Sequence, residues 1–336
     1  MSAFDDMAER WLEFLSANMG RSDATVIKYR GYLIRLNDFL VTKGQDHLSC
    51  TQESLDEFTG MHLIKQGLRA PGRRPVICAV KGFFAWMIRC NARQDNPALN
   101  LLTPKVPTNL PDVMQLRDAE KLLSQPDLNT FLGVRDAAII ACFIGCGFRL
   151  SGVTGLNESS LIFTHDEHGH EILIIKVEEK GKKQRMVPAP DELRLLIRAY
   201  LGHPQLQEIV RELDDGDKVL FVSTQHYVVP DYLYFGEKRR ISQKSVDDLL
   251  KKYGKRAGID PKYLHAHSMR HLYGTELVEA DVNVLHMKAL MGHAKTDTLD
   301  IYNHTALRKL KNEAFKANPL GKMITPVTQL LKELNK

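Results

Sequence analysis

A chain of 336 residues has room for two domains, each large enough to bury a core of its own. With 43% hydrophobic and 26% charged residues the composition is that of a globular protein, and the sequence holds no apolar run long enough to span a bilayer. The net charge of +5 admits a nucleic-acid partner without requiring one, and five scattered cysteines, an odd number, fit a reducing cytoplasm better than a disulfide framework.

The acidic, amphipathic start MSAFDDMAERWLEFL does not read as a cleaved signal. Residues 1–103 read as a helical unit. Tyr29, Leu33, Leu36 and Leu40 recur at helical spacing, with Lys28, Arg30 and Arg35 off that stripe. SLDEFTGMHLIKQGL gives a second amphipathic segment. In the next, Pro75 suits a helix start and Val76, Ala79, Val80, Phe83 and Phe84 a buried face. DNPALNLLTPKVPTNLP has four prolines and no periodicity, and residues 104–112 are read as a linker.

The second unit, 113–320, opens with LRDAEKLLSQ and with VRDAAIIACFIGCG, where Cys142 and Cys146 read as buried structural thiols. HEILIIKVEE and QRMVPAP flank Gly181 as an antiparallel hairpin whose turn carries Lys180, Lys182 and Lys183. DELRLLIRAYL returns to helix, VLFVST is a short strand or an apolar bend, and a further helix begins near Ser242. From His271 onward the pattern is helical with short breaks, ending in an amphipathic tail, 321–336, that carries Leu330, Leu331 and Leu334. The fold class is therefore mostly α, with a small antiparallel β-sheet in the second unit.

The chemistry concentrates near the C-terminus. Tyr302 stands nine residues after His293, and His267 and Arg270 form a His-x-x-Arg spacing upstream. A phenol nucleophile, two hydrogen-bond donors and a guanidinium are what breaking a DNA strand through a phosphotyrosine requires. Arg149 in GCGFRLSGVTGL and Lys180 in EEKGKKQRMVP are candidates to complete the set. Each has a plainer reading: Arg149 as a helix-end arginine, His293 as a helix cap, Tyr302 as a half-buried tyrosine. His265, His267 and His271 raise a zinc reading, but no acidic or cysteine ligand joins them at a recognisable spacing and Arg270 in their midst opposes a cation. No metal is assigned.

The ordered series Arg149, Lys180, His267, Arg270, His293, Tyr302 resembles the active site of the tyrosine recombinase (phage integrase) family of site-specific recombinases. Thr25, Tyr29 and Leu33 in a T-x3-Y-x3-L pattern, with KGFFAW and DNPA, resemble that family's helical core-binding domain, so the resemblance covers nearly the whole chain. It implies a two-domain, C-shaped DNA clamp that needs no cofactor and works in the cytoplasm as a homotetramer on double-stranded recombination sites. It implies that Arg149 and Arg270 clamp the scissile phosphate, that His267 and His293 donate to it, and that Tyr302 attacks it. Lys180, in a Lys-Gly-Lys-Lys-Gln-Arg run like the family's Lys-Gly-x-Lys-x-Arg turn, would protonate the leaving 5′-oxygen. Lys182, Lys183 and Arg185 then touch flanking phosphates or are solvated. Arg73, Arg74, Lys81, Arg89 and Lys244 are nominated as DNA contacts, ahead of Lys251 and Lys252. The tail resembles the element such enzymes dock into a neighbouring subunit; folding onto its own domain is the other reading.

One position departs from the family: Gly152 replaces the acidic residue usual three places after the first arginine. Stretches 201–217 and 225–241 look like insertions. Three competing readings stand beside the recombinase: a type IB topoisomerase-like enzyme, a non-catalytic DNA-binding protein on a degenerate recombinase fold, and a zinc hydrolase.

Overall fold

The computed structural model describes residues 3–106, 113–179, 183–225, 229–292 and 304–334. The chain divides into two compact units, Met1–Leu110 and Pro111–Lys336, and each has its own hydrophobic core. The fold is mostly helical, with a small antiparallel sheet in the larger unit. No helix among the described residues is long and apolar enough to cross a membrane.

In the smaller unit, α1 (Ala3–Ala17) buries Phe4, Ala8, Trp11, Leu12 and Leu15, which fall on one helix face. Helix α2 (Asp23–Thr42) buries Leu33, Leu36, Phe39 and Leu40, and stacks Tyr29 on Trp11 at 5.6 Å between ring centroids. Helix α3 (Gln52–Glu57) starts on a Thr51–Ser54 capping box and runs through a π-turn, Phe58–His62, into the single turn α4 (Leu63–Lys65). Helix α5 (Ala70–Arg89) buries Val76, Ile77, Ala79, Val80, Phe83 and Phe84. Pro75 does not start this helix, contrary to the sequence reading; Pro71 occupies the first turn, where no donor is needed. Pro75 has no N–H to donate back to the Pro71 carbonyl, and Pro71 is exposed, so water can serve.

The larger unit is built around α7 (Phe131–Cys146), which follows α6 (Leu116–Leu123). Every residue of α7 except Leu132 is buried. Thr130 caps its start by accepting from the Gly133 N–H at 3.1 Å. Two charges inside this core are matched: Arg135 pairs with Asp136 at 2.6 Å and donates to the Val222 carbonyl at 2.7 Å, and the Tyr253 hydroxyl donates to Asp136 at 3.0 Å. After the short α8 (Leu150–Thr154) comes a three-stranded sheet among the described residues, β1 (Leu161–His165), β2 (Glu171–Glu179) and β3 (Lys183–Ala189). Central β2 pairs antiparallel with both neighbours and sets Val177 opposite Arg185. The hairpin of β2 and β3 matches the sequence reading; β1 is an addition to it. VLFVST forms no named strand and is held as a bend by isolated pairings of Val219 with Asn157 and Val222 with Arg240.

The remaining helices are α9 (Asp191–Leu201), α10 (Pro204–Gln207), α11 (Gln243–Arg256), α12 (Ala266–Glu279), α13 (Val284–Met291), α14 (His304–Lys316) and α15 (Pro326–Leu334). The last packs on α9 of its own chain, with Met323 and Val327 in the larger core, so residues 321–334 fold onto their own unit here. The two insertion-like stretches also have structural work. Arg211 donates to the Val219 carbonyl at 2.7 Å and pairs with Glu158; Asp217 accepts from Ser159 at 2.5 Å. Arg240 donates to the carbonyls of Thr154 and Leu156 at 3.1 and 3.0 Å. Both stretches brace the turn that follows α8.

Candidate active site

Helix α7 ends at Gly147, whose left-handed conformation (φ 58°) turns the chain. A Cβ at Gly147 would lie 2.4 Å from the buried ring of Tyr273 on α12, so glycine is required there twice over, by conformation and by space. The turn Gly147–Phe148–Arg149 then leads into α8, with Arg149 at its N-cap position, half-buried.

Arg270 reaches this turn from α12. Its guanidinium is only 3% exposed and donates to the Gly147 carbonyl at 2.5 Å and to the Met291 carbonyl at the end of α13. Both acceptors sit at helix C-termini, where the macrodipole favours a cation, which is how an arginine can be kept this far from water. Burial, followed by the like charges of Arg185 and Arg149, pulls its pKa down to about 9. The group remains a cation at neutral pH, in a site where an anion would be welcome.

His267 lies one turn before Arg270 on the same helix, its ring 4.3 Å from that of His271 in an edge-to-face contact. Partial burial, then the charges of His271, Arg270, His265 and Arg149, hold its pKa below the ordinary histidine value. His265 is used as a helix cap: its Nδ1 accepts from the Ser268 N–H at 3.0 Å. Arg149, His267 and Arg270 thus form one electropositive cluster, although Arg149 and Arg270 are 121 residues apart in the chain.

Lys180, Lys182, His293 and Tyr302 lie outside the described residues, and Lys183 opens β3. The unanticipated member is Arg185, which the sequence reading left at the surface. It is 5% exposed and holds its Cζ 5.4 Å from the centre of the Phe148 ring. The signal was available: Val187 and Ala189 are the buried alternates of β3, and strand periodicity sets Arg185 on their side.

Gly152 is buried, and a Cβ there would stand 2.9 Å from Cγ2 of Val177 on β2. The space that an acidic side chain would need is therefore filled. Cys142 and Cys146 are fully buried, and burial pushes the Cys146 thiol up to about 12, which keeps it protonated and inert.

The nominated DNA contacts differ in availability. Arg74, Lys81 and Arg89 follow one side of α5, spaced by the exposed small residues Cys78 and Ala85. Arg89 also lies over the Phe14 ring at 5.2 Å. Arg73 is turned to another use, donating to the Thr59 carbonyl at 3.3 Å within its own unit. Lys244 is exposed in the first turn of α11, behind a Ser242 cap.

Comparison with known proteins places the chain in a family. Residues 112–308 match the model of the phage integrase family, and residues 8–91 that of the phage integrase N-terminal SAM-like domain. Tyrosine recombinase XerD of Proteus mirabilis is 30% identical over 321 residues, 94% of each chain. Tyrosine recombinase XerC of Escherichia coli O157:H7 is 28% identical over 316 residues, 94% of this chain and 96% of that one. Among solved structures, the XerH site-specific recombinase bound to difH substrate shares the fold with a TM-score of 0.62 at 17% identity, over 92% of this chain and 84% of that one. Matched in both units, and nearly end to end by a relative at 30% identity, the chain belongs to the phage integrase family.

Proposed function

We propose that this protein is a site-specific DNA recombinase that cuts and rejoins strands through a 3′-phosphotyrosyl intermediate. The observation that supports it is the gathering of Arg149, His267 and Arg270 into one electropositive cluster, in a chain whose relatives are named tyrosine recombinases. Guanidinium groups present planar forks to the non-bridging oxygens of a phosphodiester and keep their charge, so Arg149 and Arg270 hold the scissile phosphate as negative charge grows on it. Loss of one such donor typically costs roughly 3–4 kcal/mol in the transition state. His267 and His293 donate to the same phosphate.

The Tyr302 oxygen attacks phosphorus and forms the phosphotyrosine bond as its hydroxyl proton passes to a base, a part His267 can take, while the bond to the 5′-oxygen breaks and Lys180 supplies the proton that makes it a hydroxyl. Rejoining runs the same steps backwards with the 5′-hydroxyl of another strand. The phosphodiester energy stays in the covalent bond, so neither ATP nor a metal is called for. Four copies act on two double-stranded sites, exchanging strands in two rounds through a four-way junction. Arg74, Lys81 and Arg89 on α5, with Lys244 and the hairpin lysines, contact flanking phosphates.

The test works without a known target sequence. The protein is incubated with fragmented genomic DNA, stopped with detergent and digested with nuclease. A residual nucleotide on Tyr302, detected by mass spectrometry, is the expected result, and sequencing of the captured DNA gives the site. Tyr302→Phe should bind that site and yield no adduct; an adduct on the variant would remove Tyr302 from the nucleophile's role.

A further inference from the structure

Arg185 is not among the residues assigned to cleavage above, yet it is buried beside the clamp, with 5% of its surface exposed. On β3 it points into the core with Val187 and Ala189, and its guanidinium lies against Phe148. Phe148 is fully buried between two residues of the site, Gly147, whose carbonyl receives Arg270, and Arg149. The cross-strand partner of Arg185 is Val177, the residue that fills the space beside Gly152. The turn that carries one clamp arginine and fastens the other therefore rests on a third.

Electrostatics points the same way. After burial, Arg185 is the strongest influence on Arg270, ahead of Arg149, and it also acts on the buried Tyr273 and Cys146 beneath the turn. A charge so well removed from water is poorly screened, and its field reaches an anion bound by the other two.

We propose that Arg185 is a positioning residue of the recombinase site: it supports the Gly147–Phe148–Arg149 turn from below and adds a third positive charge behind the two that hold the phosphate. This rests on the reading that Arg149 and Arg270 clamp the scissile phosphate. A residue of this kind is felt only when the reacting group is anionic, which separates it from one that merely fills space.

The experiment compares two versions of the captured site, one with an ordinary scissile phosphate and one with a methylphosphonate there, which has lost a charged oxygen. Single-turnover cleavage and site affinity are measured for the full-length protein. Arg185→Met should cut the phosphate substrate about 10-fold more slowly, less than the ~100- to 1000-fold typical of losing a donor that itself touches the developing charge. It should bind the site normally and lose far less on the methylphosphonate, and Arg185→Lys should recover part of the rate. Equal slowing on both substrates, or none on the phosphate, overturns the proposal. Should Arg185→Met fail to fold, Arg185→Gln makes the same comparison with the same two outcomes. Arg270→Ala runs in parallel: if it cleaves the phosphate at the wild-type rate, the two-arginine reading itself falls and the proposal with it.

Discussion

Gly152 and Val177 share one space, and only one of them can have a side chain of any size there. Where the family usually carries an acidic residue, this chain has used the volume for a β-branched methyl. Gly152→Glu is accordingly expected to overpack the junction of α8 and β2 and to lose about 1–3 kcal/mol. It should slow cleavage as well, because α8 begins at Arg149. Adding Val177→Ala should return most of the stability. Thermal denaturation and cleavage of the captured site check this; a Gly152→Glu protein as stable as the parent would show that Val177 yields easily. The sequence announced the departure at Gly152 but not what fills the space beside it, because Val177 is 25 residues away and only the fold brings it there. Arg185 escaped notice for a related reason. Arginine is a surface residue by habit, and the strand alternation that placed it inside was outvoted by composition. The cluster of Arg149, His267 and Arg270 was legible because its members keep an order and a spacing along the chain.

At the scale of elements, α14 begins two residues after Tyr302 in the sequence, so what holds α14 bears on the proposed nucleophile. Asp166, in the turn between β1 and β2, does part of this. One carboxylate oxygen accepts the N–H groups of His168 and His170 at 2.9 Å each, and the other pairs with Lys311 of α14 at 2.9 Å. The Lys311 contact, then those N–H groups, hold the carboxyl well below the usual carboxylate range. A depressed acid stabilises the fold above its ordinary pKa and loses that contribution as pH falls through the depressed value, so the tie is intact at neutral pH. Asp166→Asn leaves an oxygen for the turn and removes the ion pair. Faster amide hydrogen exchange in residues 304–316 and slower cleavage, with unchanged site affinity, are expected. Unaltered exchange would mean that apolar packing alone holds the helix. Helices such as α2 and α7 could be read from periodicity and apolar density. Strand β1 could not, since its five residues lack a clean alternation of burial. The start of α5 was misplaced because two prolines stand four residues apart and only the first serves the helix start.

For the whole molecule, two separate cores imply two separable stabilities. Leu36→Ala empties a fully buried position of the smaller unit and should cost about 2–5 kcal/mol there. Calorimetry should find one transition lowered and the other, assigned with a fragment beginning at Pro111, unmoved. A uniform shift of a single transition would mean that the units unfold together.

The way Arg270 is held also bears on how complexes of this enzyme should be captured. Its guanidinium joins the end of α7 to the end of α13 through two backbone carbonyls. Alanine there would leave two helix ends without their donor and, on the proposed reading, remove a phosphate ligand at the same time, and lysine, a point charge, cannot reach both. A protein silenced at Arg270 is thus a poor stand-in for the intact enzyme poised on DNA, since its inactivity and its loosened scaffold arrive together. Replacing the Tyr302 hydroxyl, by contrast, withdraws a single oxygen. For trapping an uncleaved synapse, or for scoring partners by how well they assemble, Tyr302→Phe is the cleaner choice, and conclusions drawn from Arg270 variants should be read as reports on architecture as much as on chemistry.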